Sequence, residues 1–379
     1  MRHVLIAVAV ATSVSACLGI RPAVQPNTTR DITALTLVSQ YSIPPLGLFP
    51  PVIGVPFGGI SGIGLDRDGI LWGVSDSQLG GRIYGFTLDG MGTSAFRVTP
   101  TLWGSLAALP GRTLADNESL TMLPDGTIVV CSEGTGTEPR LAPALAHYTR
   151  NGALLDLLTV RDHFIPEVTG TLTKGARGNA GFESVTISPD GGRLFAAVEN
   201  PLVQDGEPPT FEAGAQTRIL EYRPRGDTFV PAREFVYPLE PLNKPSFPPG
   251  FFINGLADLL ALNRTTLLAL ERGFVDNTDK NGRGMNTIRI YRVSLTGASD
   301  VAAIDSLKGH AEIIPAKKTL LLDLNQVQGL SPDLAPGLDN FEGMAFGPRL
   351  PDGRPTLVLV SDDNFSDRQR TWFLLFAIQ

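Results

Sequence analysis

One arrangement of apolar and polar positions recurs along this chain. It opens on a small or acidic residue, runs through four to six alternating apolar positions, breaks at an Asp- and Gly-containing turn, and returns through a second apolar run to an acid. The first copy spans Ser61 to Leu65, turns at Asp66 to Gly69 and ends on Asp76. The second starts at Glu118, turns at Pro124-Asp125-Gly126 and ends on Glu133. The third starts at Glu183, turns at Ser188 to Gly192 and ends on Glu199. The fourth is the most degenerate: Gly255 to Leu262, a turn at Asn263-Arg264, and an end at Glu271. The fifth starts at Glu342, turns through Pro351-Asp352-Gly353 and ends on Ser361-Asp362.

Period-two alternation, a Gly-containing turn and a β-branched return predict one β-hairpin per copy. A further strand follows each: Arg82–Thr87, Ala146–Thr149, Arg218–Tyr222, Ile288–Val293 and Thr371–Ile378. Two hairpins per copy make a four-stranded blade, so the chain is all-β, a single β-propeller. Five blades are counted, with room for a sixth in the second half of copy three or four. Gly255 to Leu262 taken alone would pass for a helix. The last blade has three strands before the chain ends, while Ile32 to Gln40 is an orphan strand near the start. Pairing the two would close the ring and remove a sheet edge. Long Gly/Pro-rich loops, at 161–180, 200–216, 240–252 and 306–338, are the natural places for a binding surface.

Composition changes this picture little. The net charge of −7 and the absence of a basic run give nucleic acid no footprint. The 41 Gly and 30 Pro suit many short strands and turns. Arg2 and His3 followed by a short apolar run read as an export signal, too short to span a bilayer. Val14-Ser15-Ala16-Cys17 matches a bacterial lipobox, so Cys17 is the expected lipidation site and residues 1–16 the signal peptide. No Asp follows Cys17, which points to the outer membrane, facing the periplasm or the cell surface. The alternative is an ordinary signal peptide that contains a Cys. Cys131 is then the sole remaining thiol, inside an apolar run, and is expected to be a buried structural residue.

Several blocks resemble one family. Gly181-Phe182-Glu183-Ser184-Val185-Thr186-Ile187-Ser188-Pro189-Asp190-Gly191, then Ala197 to Leu202, Leu268 to Arg272, Asp339 to Pro348 and Val360 to Phe365 are similar to the phytase-like family, described as esterase-like activity of phytase. The resemblance spans Ser61 to Ile378. It makes residues 17–30 a linker from the lipidated Cys17 and 31–379 a phytase-like propeller domain. It implies hydrolysis of ester or phosphate ester bonds and, by analogy with propeller phytases, a calcium dependence. Copy four departs from the pattern, with Ala257-Asp258 where the other late copies have Glu-Ser or Glu-Gly.

The repeat itself suggests where chemistry would lie. A residue opening the innermost strand of every blade falls at equivalent points around the axis: Glu118, Glu183 and Glu342, with Ser61 and Asp258 or its neighbour in the other copies. The acids ending the second strand are Asp76, Glu133, Glu199, Glu271 and Asp362, each beside the start of its partner strand. Converging carboxylates need a cation or retained protons, and an oxygen-only set suits Ca²⁺. The candidate metal ligands are Glu118, Glu183, Glu342, Asp362 and Asp363, with Asp76, Glu133 and Glu271 read as structural. The competing reading has all the acids capping blade edges or pairing with Arg272, Arg177 or Arg283.

Lys174 and Arg177, in the Gly-rich stretch before Glu183, and Arg272 are the candidate anion or substrate contacts. No Gly-x-Ser-x-Gly elbow is present, and His147, His163 and His310 form no constellation. Three functions follow: a metal-dependent hydrolase acting on a small-molecule ester or phosphate ester; a calcium propeller lactonase using Asn200 and Asn364; or a non-catalytic cell-surface binding propeller. The protein is expected to be a monomer, touching the membrane through its lipid anchor alone. The sequence names no catalytic base.

Overall fold

The computed structural model describes residues 32–44, 57–77, 80–112, 116–247, 249–276, 284–334 and 337–379. The expected signal peptide and linker, with Cys17, and Arg283 lie outside them. Among the described residues twenty strands form five four-stranded antiparallel sheets. Blade one holds β2 (Ile60–Leu65), β3 (Leu71–Ser75), β4 (Arg82–Asp89) and β5 (Arg97–Ser105). Blade two holds β6 (Asn117–Met122), β7 (Ile128–Ser132), β8 (Ala144–Tyr148) and β9 (Leu154–Leu157). Blade three holds β10 (Phe182–Ile187), β11 (Leu194–Val198), β12 (Ala215–Arg225) and β13 (Thr228–Leu239). Blade four holds β14 (Phe252–Ala261), β15 (Thr266–Val275), β16 (Met285–Ser294) and β17 (Lys317–Asp323). Blade five holds β18 (Asn340–Gly347), β19 (Thr356–Asp362), β20 (Thr371–Ile378) and, at its outer edge, β1 (Leu35–Ile43).

The hairpin turns form as their sequences require. Gly69, Gly126, Gly191 and Gly353 all sit at positive φ, where a Cβ would be strained. Copy four lacks that glycine, and the Asn263 Oδ1 replaces it by accepting the N–H groups of Thr265 and Thr266, both at 2.9 Å. The segment 255–262 is strand because its register against β15 is set by tertiary pairing. The ring closes as the orphan strand suggested: β1 pairs with β20 from Leu35 opposite Ile378 to Ile43 opposite Thr371.

Blades pack face to face, so their middle strands are buried on both sides. Five apolar clusters fill the five seams. Trp72 and Ile128 meet between blades one and two, and Phe86 and Phe373 between one and five, rings 5.3 Å apart. Each such side chain stabilises the fold by about 1.5–3 kcal/mol. Cys131 is a free buried thiol in the seam between blades two and three, and burial pushes its pKa up.

The innermost strands neighbour one another around the axis. The Asp258 carboxylate ties four of them together. Its oxygens accept the Met344 N–H at 2.7 Å, the Leu259 N–H at 2.8 Å and the Ser184 hydroxyl at 3.1 Å, with the Ser119 hydroxyl at 3.5 Å. Burial outweighs these donors and raises its pKa to about 8. What remains of the axial channel there is about 40 Å³.

Candidate functional site

Every innermost strand carries a β-bulge at the same place. The register slips between Ile60 and Gly62, Asn117 and Ser119, Phe182 and Ser184, Leu256 and Asp258, and Phe341 and Gly343. The extra residues are Ser61, Glu118, Glu183, Ala257 and Glu342. A bulge bends the strand and re-aims the extra side chain, and here it supplies the three glutamates. In copy four the bulge residue is Ala257; Asp258, one position on, falls in line with Ser119 and Ser184 and serves the axial tie.

A second layer comes from the ends of the neighbouring strands. The residue before each bulge pairs with Ser75, Ser132, Val198, Glu271 or Ser361. The next residue outward is Asp76, Glu133, Glu199, Arg272 or Asp362, so Glu271 is one position out of line and blade four presents an arginine. Glu271 instead accepts the Tyr237 hydroxyl at 2.8 Å and the Glu240 N–H at 3.2 Å, which is structural work. A third layer, opposite the second, is Gly59, Asp116, Gly181, Gly255 and Asn340.

These layers meet in a cavity of about 630 Å³ lined by Asp76, Asp116, Glu118, Glu133, Glu183, Glu199, Glu342 and Asp362, with Arg82 and Arg272. Oxygens of Asp116, Glu118 and Glu133 lie within 4.8 Å of one another. The close packing has no room to spare: at Gly59, φ +63°, a Cβ would stand 2.1 Å from the Asp76 Oδ1, and at Gly255 one would stand 2.3 Å from the Glu199 Cγ. The non-glycine residues at positive φ among those described are Asn179, Asn364 and Phe365, and all three line this cavity. Such backbone strain gathers at functional sites.

Burial, then mutual repulsion, governs the acids. Glu118 is pushed well above the usual carboxylate range by burial and by Glu133 and Asp76. Glu183 follows, through burial and then Glu118 and Glu133, and Glu133 through burial, Asp116 and Glu199. Asp362 is raised by burial, Asp76 and Glu342. Asp76 is raised to about 7 by burial and then Glu342. Arg272 is the internal counter-ion, its Nη2 standing 3.0 Å from the Glu342 Oε1 and 3.4 Å from the Glu199 Oε1. Burial alone would lower the Arg272 pKa, but Glu342 and Glu199 hold it above the usual value.

Of the residues singled out from sequence, Glu118, Glu183, Glu342, Asp362 and Arg272 come together here. Asp363 does not line the cavity. Its Oδ1 accepts the N–H of Gly59 at 2.8 Å and of Phe365 at 3.1 Å, which shapes the loop. Lys174 is exposed elsewhere. Arg177 donates to the carbonyls of Pro201 at 3.2 Å and Gly206 at 2.6 Å, and neither cation lines the cavity. Asn364 lines it and Asn200 does not. Asp76 and Glu133, read as structural, are in the cavity, and Asp116 went unnoticed. The three histidines are engaged elsewhere, with Thr127, Glu234 and Glu312.

Oxygen-only donors fit a hard divalent cation. The buried Asp76 Oδ1 and Glu133 Oε2 have no hydrogen-bond partner, and a cation would satisfy both needs at once, charge and coordination. The residues present therefore fit a hard divalent cation.

An uncharacterized secreted protein of Arthroderma benhamiae is 27% identical over 158 residues, covering 36% of this chain and 29% of that protein, so the match spans under a third of its length. A glycosyl hydrolase from Bacteroides ovatus aligns over 94% of this chain and 96% of its own, at 11% identity and a TM-score of 0.40. A mannose phosphorylase from Leishmania mexicana aligns over 92% and 89%, at 9% identity and 0.37. At these TM-scores neither structure carries an argument about this chain. The family match does: residues 55–365 fit the model described as esterase-like activity of phytase. That stretch takes in most of the propeller and the whole acidic cavity, and the chain belongs to the phytase-like family.

Proposed function

We propose that this protein is an exported, cation-dependent hydrolase of phosphate or carboxylic esters, working in the acidic cavity. The observation that carries this is the convergence of Asp116, Glu118 and Glu133, all from blade two, within 4.8 Å. These three would hold the cation, with calcium as the ion of choice for carboxylate oxygens. When bound, a divalent cation supplies positive charge that polarises the ester oxygen. Glu183, raised above the usual carboxylate range by burial and then by Glu118 and Glu133, is the candidate general acid. Arg272 pairs with Glu199 and Glu342 and opposes the upward push of burial on both. The lactonase alternative is favoured by Asn179 and Asn340, which line the cavity beside the carboxylates.

The test is turnover of aryl esters, aryl phosphates and lactones by purified protein, with calcium and with a chelator. Turnover that needs calcium and is lost in Glu133→Gln supports the reading. Turnover confined to lactones selects the alternative. No turnover on any of them, with stability indifferent to calcium, would leave a non-catalytic binding propeller. For location, we propose lipidation at Cys17. No helix among the described residues is long and apolar enough to cross a membrane. Metabolic palmitate labelling that is equal in wild type and Cys17→Ala would overturn the anchor.

A further inference from the structure

The cavity wall is not acidic throughout. Phe251, Ile253 and Phe365 also line it. Phe251 is 55% exposed, yet its position is fixed: its carbonyl accepts the Asp276 N–H at 2.8 Å. Its ring centroid stands 6.3 Å from that of Phe274. Phe274 lines an adjoining cavity of about 590 Å³, which shares Arg272, Asn340 and Asn364 with the first. Phe365 is held at φ 48°, a conformation that costs about 1–3 kcal/mol for a bulky residue. The loop accepts this strain while it presents an aromatic ring to the cavity. Phe251, Ile253 and Phe365 together give the polar cavity an apolar wall, the mixed lining that small-molecule sites have.

The charge of the cavity limits what that something is. Eight carboxylates and two arginines line it, an excess of six acids. Arg272 is engaged by Glu342 and Glu199, and Lys174 and Arg177 lie elsewhere. Burial leaves part of these acids protonated, yet they still far outnumber the arginines; a bound divalent cation offsets two negative charges, and a phosphate dianion brings two back. A substrate with several phosphates would bring more, into a site with few cations to receive them. A neutral ester meets no such opposition and gains contact with the aromatic wall.

We infer that the cavity takes neutral carboxylic esters carrying an aromatic or other apolar group, laid against Phe251, Ile253 and Phe365, and discriminates against phosphate esters. This rests on the hydrolase reading above and narrows its substrate class.

A matched pair tests it: 1-naphthyl acetate and 1-naphthyl phosphate, assayed with calcium on wild type, Phe251→Ala and Leu320→Ala. Leu320 is an exposed residue of β17 and serves as the distant control. The expected result is higher kcat/KM for the acetate, and a rise of about tenfold in its KM in Phe251→Ala with no change in Leu320→Ala. Preference for the phosphate, or an unaltered KM in Phe251→Ala, overturns the inference while leaving the hydrolase reading intact. If neither ester is turned over, the hydrolase reading fails, and direct binding by calorimetry decides the inference. Tighter binding of 1-naphthol than of 1-naphthyl phosphate, weakened in Phe251→Ala, supports it; the reverse order overturns it.

Discussion

Blade two brings Asp116, Glu118 and Glu133 to the cavity, and blade four brings Gly255, Ala257 and Arg272 to the same three places. Both blades have the same strand order, the same bulge and the same pairing at its foot. The backbone therefore sets where a side chain enters, and the choice of residue sets the sign of the charge. One pole of the cavity gathers carboxylates that can hold a cation, and the other carries its own positive charge. The difference explains how a ring of eight acids, five of them buried, is tolerated: part of it is neutralised from within the fold, the rest by protons or by an added ion.

The sharpest way to break this comparison is to remove the resident cation. Arg272→Met should leave Glu199 and Glu342 without their counter-ion and destabilise the protein by about 3–5 kcal/mol, read from denaturant unfolding. A loss below about 1 kcal/mol would mean that the arginine does not balance the ring. On the opposite pole, calcium should stabilise wild type by about 2.7 kcal/mol at a hundredfold excess over its dissociation constant. Glu133→Gln should abolish most of that gain in a thermal shift measurement; an undiminished response would move the ion away from blade two.

The third effect is one of pH. The folded-state carboxyls are raised above their unfolded values, Asp76 to about 7 from 3.8, so the folded protein holds more protons than the unfolded chain. Stability in chelator is then greatest at low pH and declines as pH rises from about 4 through 7. A drop in Tm of at least about 5 °C between pH 5 and pH 8 is expected, and calcium should flatten it. A Tm that climbs over that range would contradict the burial argument. The smallest effect is reserved for Lys174→Ala, which should change stability by less than about 0.5 kcal/mol and leave turnover untouched. A loss of activity there would return the Gly-rich loop to the site.

The hairpins, the blade count and the closing strand were legible because each rests on a local signal, alternation or turn chemistry, repeated five times. Glu118, Glu183, Glu342 and Asp362 were legible for the same reason. Copy four was not, because its acids sit one residue off the pattern. Only the register decides that Ala257 and Arg272, rather than Asp258 and Glu271, occupy the shared positions, and register depends on pairing that sequence spacing does not display. Asp363 stands just past the end of β19, where the turn directs its carboxylate to the Gly59 and Phe365 N–H groups, a direction that sequence adjacency to Asp362 does not display. Lys174 and Arg177 were chosen for nearness to Glu183 along the chain, while carbonyls of a separate loop hold Arg177 away. Asp116 carried the one overlooked signal, an acid two residues before Glu118.

The seam between β1 and β20 also sets an order in time. Leu35 meets Ile378, so β1, made before the other described strands, finds its partner only after β2 to β19 have been made. Until then blade five lacks its rim and β1 has no sheet to join. Closing a loop of that length costs about 5 kcal/mol of chain entropy beyond a constant, recovered only once the circle is whole. A chain halted just short of residue 371 would hold four finished blades and only β18 and β19 of the fifth, with the edge of β19 bare to any strand or chaperone that arrives first.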